Sequence, residues 1–98
     1  MNVEFHPAAR TDLDQSAVWY DLHRPGLGDE FLAEVEATIT RILEHPERWR
    51  EIEVGVRGCR VNRFPFVVIY RVRQQMIQIV ALSHHSRLPG YWKGRLGE

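Results

Sequence analysis

The chain has one cysteine, Cys59, in 98 residues. That excludes an internal disulfide and any Cys-x-x-Cys metal site, and Cys59 reads as a small strand residue. Long apolar runs are also missing, since none approaches the ~18 residues of a membrane span. The opening Met-Asn-Val-Glu-Phe-His lacks the basic-then-apolar layout of a secretory leader. A cytoplasmic location and no membrane partner are therefore expected. Lysine is scarce, with arginine outnumbering it 12 to 1. No internal repeat or low-complexity segment is visible. After Glu53 acidic residues nearly vanish, and Glu98 is the last of them.

What is present suits one folded unit over residues 1–98, because 44% hydrophobic and 27% charged residues are a globular composition. The net charge of zero hides a separation. From Met1 to Glu53 there are 12 carboxylates against 5 arginines, a formal −7, and from Val54 to Glu98 8 cations against 1 carboxylate, a formal +7. A fold that gathered the second-half guanidinium groups on one exposed face would suit a polyanion or an acidic protein segment.

The periodicity gives an element order. Val3 to Phe5 alternates as a short strand, His6-Pro7 ends it, and Pro7 suits a first helical position. Ala9, Leu13, Ala17 and Tyr20 mark one face of a helix reaching about His23. Arg24-Pro25-Gly26-Leu27-Gly28 breaks the chain. A second helix is expected over Asp29 to Glu44, with Phe31, Val35, Ile39 and Ile42 as its stripe and Pro46 beyond its end. Two helices so joined form an antiparallel hairpin with an acidic outer side. Trp19 and Trp49 read as core or core-edge residues.

Strand character follows over Val54 to Asn62, where Gly58 is a candidate bulge. In Phe64 to Val72, Phe64, Phe66, Val68, Tyr70 and Val72 share one side. Val67 and Ile69 on the other side give way to Arg71 and Arg73. Gln74-Gln75 supplies a hairpin turn, and Met76 to Ser83 continues the alternation. The expected fold is α+β in β-α-α-β-β-β order, a small antiparallel sheet packed against an N-terminal helical hairpin.

That order, with these residues, resembles the RelE/ParE superfamily of toxins from bacterial type II toxin–antitoxin modules. The resemblance is carried by Phe5-His6-Pro7-Ala8-Ala9, Asp12-Leu13, Ala17-Val18-Trp19-Tyr20, and Pro25-Gly26-Leu27-Gly28 leading into Phe31. It continues through His45-Pro46, Val56-Arg57, Arg63-Phe64-Pro65-Phe66, Val68-Ile69-Tyr70 and His84-His85-Ser86-Arg87. It implies a toxin neutralised by a cognate antitoxin. Some members poison DNA gyrase, and others cut messenger RNA on the ribosome.

Metal-free RNA cleavage needs a base, an acid and cations for the phosphorane-like transition state. The candidates are Arg57, Arg60, Arg63 and Arg87 as cations, His84 or His85 as the titrating group, and Tyr91 as a stacking or proton-handling partner. Consecutive histidines on a strand face opposite ways, so only one can serve a given site. In the ribonuclease branch an arginine usually stands three positions before the strand tyrosine. Val67 holds that place before Tyr70, and Lys93 is the only lysine. The expectation is therefore a ParE-like protein that binds gyrase and needs no metal or other cofactor, rather than an enzyme. A ribosome-dependent endoribonuclease is the alternative, and a non-toxic relative acting only in antitoxin complex and autoregulation is a third reading. In each, DNA is contacted only through the antitoxin. The expected partner-binding residues are Arg57, Arg60, Arg63, Arg71, Arg73, Arg87, Tyr91 and Trp92. For Leu88 to Arg95, docking of Tyr91 and Trp92 back onto the sheet is the competing structural account.

Overall fold

In the computed structural model, which describes residues 1–97, β1 (Asn2–Phe5) gives way to α1 (Pro7–His23) at His6. Pro7 opens the helix where its missing donor costs nothing, and His6 Nδ1 accepts the Ala8 N–H at 3.0 Å. Ala9, Leu13 and Ala17 are the buried face of α1, as the spacing predicts. Gly26, at φ 89°, makes the break before α2 (Leu27–Glu44), which begins two residues earlier than expected. The two helices approach closely at Gly28, whose N–H donates to Asp21 Oδ1 at 2.7 Å.

Four further strands follow: β2 (Arg50–Glu53), β3 (Val56–Arg60), β4 (Phe66–Arg73) and β5 (Met76–His84). The sheet order is β1-β5-β4-β3-β2. From β2 to β5 it is an antiparallel meander, but β1 runs parallel to β5, so the sheet is mixed. The strand expected over Val54 to Asn62 is β3, and it is one arm of a hairpin whose other arm, β2, was not expected. Gly55, at φ 75°, turns the chain, and β2 lies before that turn. Its charged sequence masks it, because an edge strand need bury no side-chain face. The ladder irregularity falls between Glu51 and Glu53, not at Gly58. Gly58 instead makes room for a neighbour, since a Cβ there would stand 3.0 Å from Val67 Cγ1. Gln74 and Gln75, at φ 52° and 63°, form the primed turn that a two-residue hairpin requires.

The alternation in β4 divides the apolar residues as expected. Phe66, Val68 and Tyr70, with Phe64 just before the strand, face the helices and pack with Leu13, Phe31 and Ile42. Val72, at the strand's far end, stays exposed. On the opposite face Val56, Ile69, Val80 and Ala81 form a second cluster, covered by the tail through Trp92, Tyr91 and Leu96. A short 3-10 turn (Lys93–Gly97) closes that tail. Among the described residues, no helix is long and apolar enough to cross a membrane.

Candidate partner-binding cleft

β1 pairs with β5 only over Met76–Ile79. Past Ile79 the outer edge of β5 has no strand beside it among the described residues, and side chains satisfy its backbone instead. Arg95 donates to the Val80 carbonyl at 3.0 Å, Asp12 Oδ2 accepts the Leu82 N–H at 3.2 Å, and the Tyr91 hydroxyl donates to the Leu82 carbonyl at 3.3 Å. Asp12 and Arg95 are paired at 2.7 Å with side chains only 13% and 16% exposed. Burial, with Asp12 nearby, raises the Tyr91 pKa above its ordinary value. Tyr91 thus helps hold the tail against the edge of β5.

Beside this edge, between α1 and the end of β5, a cleft of about 410 Å³ opens. Trp19, Tyr20, Phe66 and Leu82 supply apolar walls, while Asp12, Ser16, His84 and Arg87 supply polar groups. Trp19, expected in or at the edge of the core, is 54% exposed, because it lies outside the Ala9–Leu13–Ala17 face and stacks on His23 at 3.8 Å. Trp49 is half-buried, as expected of a core-edge residue. Of the two histidines, His84 reaches the cleft, edge-on to Phe66 at 5.0 Å. Its Nδ1 accepts the Ser86 N–H at 3.0 Å, which leaves the ring proton on Nε2. His85 is exposed and lies outside the cleft lining.

The expected single arginine patch does not form. Arg63 binds Glu30 at 2.7 Å and Glu34 at 3.5 Å, a pairing that lowers the Glu30 pKa and raises that of Arg63. Arg57 donates to the Trp49 carbonyl at 2.8 Å and lies 3.6 Å from Glu51. Arg71 donates to Gln78 and to the Leu96 carbonyl, and burial lowers its pKa. Arg60 and Arg73 are exposed, on different strands. The physical reason for the dispersal is that carboxylates of α2 and β2 draw Arg63 and Arg57 to themselves, while Arg71 is bound by Gln78 and the tail backbone. Trp92, expected at a partner surface, is 4% exposed and is spent on packing the back face. Arg87 alone of the candidate arginines lines the cleft, its guanidinium 3.8 Å from the Tyr91 ring centroid.

Asp12, Ser16, Trp19, Phe66 and Leu82 were not among the expected site residues. Helical phase carries a signal for three of them, because Asp12, Ser16 and Trp19 recur at spacings of four and three beside the buried stripe. Nothing local in the sequence brings Phe66 or Leu82 to the same place. Among the described residues, no three His, Cys, Asp or Glu side chains gather as a metal-binding group.

A family model described as the ParE toxin of the type II toxin–antitoxin system parDE matches residues 3–89. A solved structure titled the chromosomal ParDE TA system from P. aeruginosa superposes with a TM-score of 0.76 at 20% identity, covering 86% of this chain and 95% of that one. At that identity the likeness speaks for the fold. No curated protein sequence matches the chain.

Proposed function

The chain belongs to the ParE toxin family of type II toxin–antitoxin systems, and from that premise we propose that it arrests bacterial growth by binding DNA gyrase unless a cognate antitoxin holds it. The observation that favours binding over RNA cleavage is the environment of Val67. It packs against the apolar cluster beneath Trp92 and Tyr91, at the place where the ribonuclease branch usually carries an arginine. Two of the cleavage candidates are also engaged: Arg63 by two glutamates, and the Tyr91 hydroxyl by Leu82 and Asp12. Transition-state stabilisation needs several donors converging on one phosphate. Inhibition by occupancy needs only a stable complementary surface.

Purified protein is expected to block supercoiling by gyrase in vitro, in proportion to the fraction of gyrase bound. Unimpaired supercoiling at saturating protein would remove this reading. One observation keeps the endoribonuclease alternative in play: His84 and Arg87 share a cleft. Codon-linked breaks in translated messenger RNA, mapped by primer extension and abolished by His84→Ala, would establish it instead.

A further inference from the structure

Arg87 differs from four of the other second-half cations in how it is held, and of the candidate arginines it alone lines the cleft. Arg57, Arg63, Lys93 and Arg95 each lie within ion-pair distance of a glutamate or aspartate from the first half. Arg87 has no such carboxylate among the described residues; the partner found for its guanidinium is the Tyr91 ring. That ring is itself held by its hydroxyl, which shares one proton between the Leu82 carbonyl and Asp12 Oδ2, and by Arg95, whose guanidinium lies 5.2 Å from the ring centroid. The tight turn that follows β5, with the Arg87 N–H donating to the His84 carbonyl at 3.0 Å, fixes the backbone as well. A guanidinium stacked in this way loses less rotamer freedom on meeting a carboxylate than a free one does.

The neighbourhood decides what Arg87 can receive. The Asp12 charge on the cleft wall is already taken by Arg95. That leaves Arg87 as the uncompensated charge there, next to the apolar surfaces of Trp19, Phe66 and Leu82. A nucleic-acid strand presents a phosphate at every nucleotide and needs a row of cations. This cleft offers one, and the outer faces of α1 and α2 beyond it carry Asp14, Asp29 and Glu36. A protein segment with one carboxylate beside a bulky apolar side chain fits both features.

We propose that this cleft is the seat of an antitoxin segment, with Arg87 as the receptor for one carboxylate and Trp19, Phe66 and Leu82 as the apolar floor. Tyr91 is a positioning residue: it holds Arg87 at the cleft mouth and touches the partner through it. The C-terminal tail, which lies mostly beyond the residues matched by the family, thus helps set which antitoxin this toxin accepts. This rests on the toxin–antitoxin reading above.

The test uses the full-length chain and the purified product of the adjacent reading frame, with affinity measured by titration calorimetry at two salt concentrations. Arg87→Gln is expected to weaken binding about 10-fold and Arg87→Glu about 100-fold or more, as for a charge pair at a partly desolvated rim. Arg50→Glu, at an exposed arginine of β2 outside the cleft, should change affinity by less than about twofold. Tyr91→Phe keeps the ring but loses the hydroxyl that anchors it, so it should weaken binding only slightly, whereas Tyr91→Leu should weaken it further and leave a remaining affinity that no longer depends on Arg87. A Glu or Asp→Arg change in the partner that rescues Arg87→Glu would identify the bonded carboxylate. Wild-type protein that fails to bind the partner would remove the toxin–antitoxin reading and the proposal with it. Binding that is normal in wild type and unchanged in Arg87→Glu would overturn the proposal alone. So would a labelled single-stranded RNA that occupies the cleft more tightly than the partner does, in an Arg87-dependent way.

Discussion

Tyr70 lies fully buried in the middle of β4, and its hydroxyl donates to the Pro46 carbonyl beyond the end of α2. One side chain thus joins the sheet to the segment that leads out of the helical hairpin. Burial raises its pKa from 10.0 to about 12, with Arg57 opposing the shift. For an acid whose folded pKa is raised, the neutral form favours the folded state. Stability is therefore complete below pH 10 and falls as pH rises from 10 towards 12. By pH 11 the loss should amount to about 1 kcal/mol, roughly half of its full extent. Denaturant melts at pH 9 and pH 11 are expected to show it, and Tyr70→Phe should flatten that dependence while lowering stability at pH 9 by about 1 kcal/mol through the lost hydrogen bond. A variant with the same alkaline slope as wild type would assign the slope elsewhere, Tyr20 and Tyr91 being the other tyrosines with raised values.

The helical hairpin depends on Gly28. A Cβ there would stand 2.5 Å from the Ala17 carbonyl oxygen and 2.7 Å from the Asp21 carboxyl carbon. The first of these is backbone inside α1 and cannot step aside. Gly28→Ala should therefore force the helices apart and cost about 1–3 kcal/mol in a chemical melt, despite alanine's better helix propensity. A variant as stable as wild type would mean the hairpin can open without penalty. From sequence, Gly28 belonged only to a turn, because the close approach is a fact of tertiary packing. The same limit explains what else was hidden among the elements. Both helices, the β4 alternation and the Gln74-Gln75 turn were legible, since each follows from local periodicity or turn chemistry. The parallel pairing of β1 with β5 was not, because Val3 and Ile77 are joined only through the fold. Nor was β2, whose exposed residues lack the alternation of a half-buried strand. At the cleft, His84 and Arg87 were legible as candidate chemistry, yet only the fold shows that Arg63 and Trp92 are already occupied.

At the scale of the whole molecule, the opposed charges of the two halves bind the chain to itself. Glu30, Glu34, Glu51, Glu53 and Asp12 from the first half meet Arg63, Arg57, Lys93 and Arg95 from the second. Four of these contacts are substantially exposed and should contribute little each at physiological salt. Asp12–Arg95 is different, because both side chains are largely removed from water and both also bond to the edge of β5. Removing one partner leaves the other charge buried without compensation, so Arg95→Ala should cost about 3 kcal/mol or more. Tail docking would be lost with it, uncovering Val56, Ile69 and Ala81 and increasing binding of an apolar dye. Replacing both charges with apolar residues of similar size, Asp12→Leu with Arg95→Met, is expected to recover much of that stability, since two desolvation penalties vanish along with the attraction. The recovery should be incomplete. The Leu82 N–H and Val80 carbonyl would still lose their side-chain partners, and an unsatisfied group at a partly covered edge costs about 1–3 kcal/mol. Arg95→Ala melting within about 0.5 kcal/mol of wild type would show that the tail is held by Trp92 packing alone, and that the charge pair adds nothing to the closure of the sheet edge.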